Sequence, residues 1–357
     1  MCGLHTRAAA LLLYRVWESE PENWAMNLKG VKNSIIERSS LKTVILLTKS
    51  LLSVVAGTLC ACSAHAQFYV SDYWDGTVGA YSLSGATISA ALITGLSGPS
   101  GLALDGSGYL YVAQYGGGTI GKYTASGVSV NPSLITGLSG PQAIALDGNG
   151  NLFVANALTG TVGEYTTSGT AVNPSLITGL SNPVGLALDG SGYLYVANQG
   201  TGTIGKYTTT GTVVNRSLIS IFGNGSANTL DGITLDGSGH LFAADALNGS
   251  VGEYTTSGQT INTQFLSANT LGGIGLQNPF DVGLDGNGHI FVLNNGNGTI
   301  GEYNVPVVGT VNRSLVSGLN SPLHMAMAPV PEPRSIALAL LGLAVLLLPR
   351  HSRTGQP

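Results

Sequence analysis

Cysteine stops early in this chain. Its three cysteines are Cys2, Cys60 and Cys62. If the leader described below is removed, the mature protein has no disulfide, no thiolate nucleophile and no cysteine-based zinc site. Basic charge is almost as scarce. From Gln67 to Val330 there are four basic residues (Lys122, Lys206, Arg216, Arg313) against thirteen acidic ones, a net of 4 − 13 = −9. So few cations neutralise few phosphates, which argues against nucleic acid as a partner. Charge of either sign is only 9% of the chain, and 52 Gly and 14 Pro would suit disorder. Against that stands 43% hydrophobic content in short alternating runs, the pattern of a folded all-β protein. Catalytic motifs are also missing: there is no G-x-S-x-G, no Walker loop and no H-E-x-x-H.

What is present is one phrase used five times. It reads LALDGSGYLYVA at Leu102–Ala113, IALDGNGNLFVA at Ile144–Ala155 and LALDGSGYLYVA at Leu186–Ala197. It loosens to ITLDGSGHLFAA at Ile233–Ala244 and VGLDGNGHIFVL at Val282–Leu293. Leu102, Leu104, Leu110 and Val112 alternate as in half-buried strands. The Asp-Gly-x-Gly between them predicts a tight turn, with Asp bonding the backbone and Gly accepting positive φ. Asp105, Asp147, Asp189, Asp236 and Asp285 are therefore read as turn-formers. A calcium site would need about six to eight oxygens converging on one point, which five separate hairpins do not offer.

The turn aspartates are spaced 42, 42, 47 and 49 residues apart. A period in the forties with short strands fits a propeller blade. Within one unit the sequence predicts strand a at Gly101–Asp105, b at Tyr109–Ala113, c at Thr119–Tyr123 and d at Ser133–Leu138. Asn131-Pro132 would set the start of strand d, where an edge strand tolerates proline. The first unit, Phe68–Tyr81, lacks strand a. The last stretch, Pro322–Ala328, is a strand a with nothing after it. Together they complete one blade, close the ring and leave no open edge, giving an all-β six-bladed propeller of four-stranded blades over residues 67–329. A linear β-solenoid is the alternative.

The flanks differ from the repeats. Lys42 and Lys49 precede an apolar run from Leu51 to Ala61 and then Ala64-His65-Ala66, a secretory signal pattern with cleavage expected after Ala66. An uncleaved membrane anchor and lipidation at Cys62 are the alternatives, and Met26 is a second candidate start. Residues 330–357 begin Val330-Pro331-Glu332-Pro333, continue with an apolar run of about fourteen residues, and end in Pro349, Arg350, His351, Ser352 and Arg353. That run is shorter than the roughly 20 residues of a stable spanning helix. The tail resembles the PEP-CTERM sorting signal of bacterial exported proteins. The resemblance implies an exosortase-like sorting enzyme and the export machinery as partners, transient membrane contact, and a place at the cell envelope or outside the cell. The repeats resemble the NHL family of propellers: Pro183–Asp189 with Gly192–Asn198 follows its P-x-G-[IL]-A-[VL]-D…G-x-[IL]-Y-V-[AS]-[DN] form. The fold carries over, and function does not, because function resides in sites grafted on folds.

Chemistry is sought where repeats depart from one another. The start of strand a reads Gly101, Ala143, Gly185, Gly232, Asp281 and His324, with Asp231 beside Gly232. An Asp–His pair near a channel mouth suits a general base with its orienting carboxylate, or part of a metal site. Streptogramin-lyase-like and lactonase-like propellers place such groups there. The bland reading is a histidine capping a strand of the closing blade. A second ring, Asp72, Gln114, Asn156, Asn198, Asp245 and Asn294, ends strand b and is read as turn-forming, with a polar ligand or a bound cation as the alternative. Strand c carries Ala80, Lys122, Glu164, Lys206, Glu253 and Glu302, read as a solvated rim. Its tyrosines (Tyr81, Tyr123, Tyr165, Tyr207, Tyr254, Tyr303) are read as packing between blades rather than a carbohydrate platform. No cofactor and no metal is expected. Near-identical repeats favour a binding or structural module taking a protein or polysaccharide. The runner-up is a lyase or lactonase using His324, Asp281 and Asp231.

Overall fold

In each unit the alternating runs become a four-stranded antiparallel sheet, and six such sheets make the propeller. The structure is a computed structural model and describes residues 67–221, 230–272, 276–305 and 310–328. The leader with its three cysteines and the sorting-signal residues Val330, Pro331, Glu332, Pro333 and Arg350 lie outside these. Blade 2 is typical, with inner strand Pro99–Leu104, then Tyr109–Gln114, Thr119–Thr124 and outer strand Ser129–Ile135. The other inner strands are Pro141–Leu146, Pro183–Leu188, Leu230–Leu235, Pro279–Leu284 and Pro322–Met327.

Closure occurs as the two half-units predict. Pro322–Met327 pairs with Gln67–Asp72, placing Phe68 opposite Met327 and Val70 opposite Met325. The same strand touches the inner strands Pro99–Leu104 and Pro279–Leu284 on either side. Both chain ends are thus tied into one sheet, and each inner strand, though the edge of its own sheet, is flanked by the inner strands of the two neighbouring blades.

The hairpin turns follow the chemistry of their aspartates. Asp105 Oδ1 accepts the backbone N–H groups of Ser107 and Tyr109 at 2.9 and 2.8 Å. Asp147, Asp189, Asp236 and Asp285 repeat this pair of bonds. Burial alone would raise the Asp236 carboxyl, but donors from Ser238 and His240 outweigh it and hold it at about 2.

Between blades the core is a set of seams. One joins Tyr69, Val78 and Ile93 of blade 1 to Leu102, Leu110, Val112 and Tyr123 of blade 2. The strand-c tyrosines fill these seams, as expected. Their motif [ST]-[IV]-G-x-Y has a steric cause. A Cβ on Gly121 would lie 2.6 Å from the Tyr123 ring and 3.1 Å from the Pro132 carbonyl. Glycine is required two residues before each tyrosine because the ring folds back over it.

Two expectations are corrected. The outer strand begins at Ser129, not Ser133, so Pro132 sits inside it. Pairing with strand c is irregular there, Ile120 facing Ile135 and Lys122 facing Asn131. An outer strand with a bulge needs no N–H from its proline, which is why the sequence allows one mid-strand. The strand-c charges are also not a solvated rim. Lys122 Nζ lies 4.3 Å from the Tyr109 ring centre and donates to the Thr167 carbonyl of the next blade at 3.2 Å. Lys206 does the same with Tyr193 and Thr256. Glu164, Glu253 and Glu302 are half-buried, and burial raises each carboxyl.

Candidate functional site

Each inner strand begins with a register break. Pairing jumps from Pro183 to Gly185 in blade 4 and from Pro279 to Asp281 in blade 6. In blade 5 it jumps from Leu230 to Ile233. A bulge leaves backbone unpaired and re-aims side chains. Asp231, Asp281 and His324, the three departures from the repeat, all stand at these bulges. In blade 1 the loose backbone is caught by Ser71, whose hydroxyl accepts the His324 N–H at 3.0 Å and donates to the His324 carbonyl at 3.3 Å.

The six inner strands surround a channel, which holds a half-open cavity of about 210 Å³ at the start of the strands and another of about 320 Å³ toward their other end. The wall of the first carries Gly101, Ala143, Gly185, Gly232, Asp281 and His324 in one ring. Glycine stands at Gly101 and Gly185 because the neighbouring strand leaves no room: a Cβ would lie 2.7 Å from the Ala143 Cα and 2.8 Å from the Asp231 carbonyl oxygen. Gly232 serves its neighbour, since a Cβ there would come within 2.1 Å of Asp281 Oδ1. Removing that Cβ makes the space in which the carboxylate stands.

His324 and Asp281 are brought together as the sequence suggests, each 7% exposed. His324 Nδ1 is 3.5 Å from Asp281 Oδ2, an ion-pair distance rather than a tight hydrogen bond. The carboxylate is already held by backbone: Oδ2 accepts the Met325 N–H at 2.8 Å and Oδ1 the Val282 N–H at 2.9 Å. His324 Nε2 is buried with no hydrogen-bond partner. A ring with its Nδ1 side against a fixed carboxylate and Nε2 free can accept or donate one proton toward a bound group.

Asp231 does not join this pair on the cavity wall. It is 2% exposed and accepts a bond from Gln199 Nε2 at 2.7 Å. Burial pushes its carboxyl up to about 8; the Gln199 bond opposes this, and the charges of Asp281 and Asp245 add to it. Gln199 is in turn held by Asn182 at 2.7 Å. The sequence pattern did not single out Gln199. Its signal was available, because the same loop position holds Tyr73, Tyr115, Ala157, Ala246 and Asn295 in the other blades.

The second ring is buried and mainly fastens loops that lead into inner strands. Gln114, Asn198 and Asn294 accept backbone N–H groups of Ser97, Ser181 and Gln277. Asp72 Oδ2 accepts the Asn320 N–H at 2.7 Å, and burial raises its carboxyl. Asn156 donates to Thr161, while Asp245 binds Asn248 in its own turn. Among the described residues, no three His, Cys, Asp or Glu side chains converge as metal ligands.

The strand ends place further residues on this same face. Pro99 pairs with Gln114, so the loop after Gln114 lies beside the beginning of the inner strand. Tyr73 and Trp74 occupy that loop in blade 1 and Tyr115 in blade 2. The sequence reading missed them because it compared strands and not the loops between them.

Residues 54–295 match the family model described as the virginiamycin B lyase family. That match ends before the strand carrying His324. Among solved structures, a chain of the nidogen/laminin complex is similar at 18% identity, covering 74% of this chain and 99% of that one, with a TM-score of 0.61. Selenomethionine-substituted virginiamycin B lyase from Staphylococcus aureus is similar at 17% identity, covering 69% and 84%, with a TM-score of 0.50. At these identities the likeness is one of fold. No curated protein matches the chain.

Proposed function

The chain belongs to the virginiamycin B lyase family, and from that premise we propose that it is an exported propeller serving as a binding module of the cell envelope or extracellular matrix. The observation that carries this is the small size of the cavity beside the candidate base. The His324–Asp281 pair lies in a cavity of about 210 Å³. Pockets that bury a drug-sized molecule run to roughly 300–1,000 Å³. The open surface of that face is formed by the loops instead. Four of the six blades also present only glycine or alanine at the ring, so the repeats maintain a scaffold more than a reaction site.

Export rests on the flanks. The first strand begins at Gln67, next to the expected cleavage point, and the last ends at Met327, just before Val330-Pro331-Glu332-Pro333. The leader directs secretion, and the tail holds the protein in the membrane until an exosortase-like enzyme removes it. Expression of the full chain in an exosortase-bearing bacterium tests this. The expected product starts at Gln67, lacks the apolar tail and is retained with envelope material. A product left intact in the cytoplasm would sink the reading.

A second reading is favoured by one atom, the buried and unpartnered Nε2 of His324. It makes the protein a lyase or lactonase acting on a small extracellular molecule, with His324 as general base and Asp281 orienting it. Turnover of virginiamycin B and of a simple lactone by wild type and His324→Ala decides it. A true base gives a loss of about 10²–10⁴-fold; equal rates remove the enzyme.

A further inference from the structure

On the channel-mouth face the loop of blade 1 reads Tyr73-Trp74-Asp75-Gly76, unlike its counterparts in the other blades. Trp74 is 74% exposed, the most exposed of the large hydrophobic side chains among the described residues. Solvent exposure of a whole indole is unfavourable unless something covers it. It is not a loose side chain. The Tyr73 ring meets Trp74 edge-on at 5.0 Å and the Tyr115 ring of blade 2 at 6.3 Å. A Cβ on Gly98 would lie 2.8 Å from the Tyr73 ring, so the glycine gives that ring its seat. Gly140 lies between Tyr115 and the exposed Leu158 of blade 3 in the same way. A strip of three aromatic rings and one leucine thus runs across three blades.

Polar groups edge the strip at Trp74. Asp75 Oδ1 accepts a bond from Asn320 Nδ2 at 2.7 Å, and both residues are exposed. Asn320 is itself fixed by its backbone bond to Asp72. A carboxylate and an amide locked side by side, next to flat apolar rings, suit a ligand with C–H faces and hydroxyl edges. A pyranose has that form. The net of −9 and the carboxylate of Asp75 disfavour anionic polymers. Three rings and a leucine fall short of the roughly 800 Å² that a stable protein partner covers on each side.

We infer that Tyr73, Trp74 and Tyr115, with Asp75 and Asn320, form a binding site for a neutral polysaccharide. This rests on the binding-module reading and names its ligand class.

The chain offers its own reporter. Its three tryptophans are Trp17, Trp24 and Trp74, so in a W17F/W24F background all tryptophan emission comes from Trp74. The full chain is run through native gels containing a β-1,3-glucan, hydroxyethylcellulose, starch or a galactomannan. At least one retards the protein, with a saturable change in Trp74 emission on titration. Trp74→Ala weakens retardation at least tenfold and Tyr115→Ala weakens it too. Trp74→Ala leaves the melting temperature unchanged because the indole is exposed. No retardation by any of the four, or equal retardation of wild type and Trp74→Ala, overturns the site. Envelope retention is measured separately. Envelope binding that Trp74→Ala leaves intact removes this site and keeps the module, whereas loss of all envelope binding removes the module itself.

Discussion

Replacing Asp231 by Asn should stabilise the propeller, and by an amount that grows with pH. The carboxyl is 2% exposed, and burial raises it from 3.8 to about 8. A buried acid of this kind stays protonated in the folded chain at pH 6, while the unfolded chain ionises it. The folded value is the higher one, so the contribution to stability is fully present below about pH 4 and is lost as pH rises through about 8. At about 1.4 kcal/mol per pH unit the ceiling on that loss is roughly 6 kcal/mol. Water penetration and side-chain adjustment reduce it, and we take a loss on the order of 2 kcal/mol as the expectation. Asn keeps the shape and still accepts the bond from Gln199 Nε2. Urea unfolding of wild type and Asp231→Asn at half-unit steps from pH 4.5 to 8.5 reads the difference directly. The gap should widen in favour of the variant up to about pH 8 and then level. Parallel curves would refute the reasoning, because other raised carboxyls, such as Asp72 and Glu302, are present in both proteins.

Two further substitutions probe the scaffold. Gly121→Ala drives a Cβ to 2.6 Å from the Tyr123 ring and should cost about 1–3 kcal/mol in denaturant unfolding, as overpacking does. Gly106→Ala, which meets nothing within 4 Å, is the neutral control. Lys122→Met removes the charge over Tyr109 and the bond to Thr167 and should cost about 1 kcal/mol. The same change at Lys206 should add independently, since the two lysines brace different seams; marked non-additivity in the thermal midpoints would contradict this.

Much of the fold was legible because repeats report on themselves. Asp-Gly-x-Gly requires a turn wherever it stands, since its Asp Oδ1 bonds backbone just two and four residues on. The missing strand a at Phe68 and the spare one at Pro322 could be matched on paper. Strand d was read four residues late because Asn131-Pro132 looked like a boundary. Only the bulge opposite Lys122 shows why proline fits within an outer strand. The lysines looked solvated because their partners are a ring on the neighbouring strand and a carbonyl some 45 residues away.

The candidate site divides along the same line. Sequence alone marked His324, Asp281 and Asp231 as departures, since an odd residue at a repeated position is visible without coordinates. It determined the six blades, the turns and the join between the chain's ends, all of which follow from local chemistry or from counting. Tertiary structure decided that Asp281 faces His324 while Asp231 turns toward Gln199, and that Tyr73 lies between Trp74 and Tyr115. Those outcomes depend on how far a bulge rotates a side chain and which loops the ring places side by side. Both are set by packing between blades, which no stretch of sequence contains.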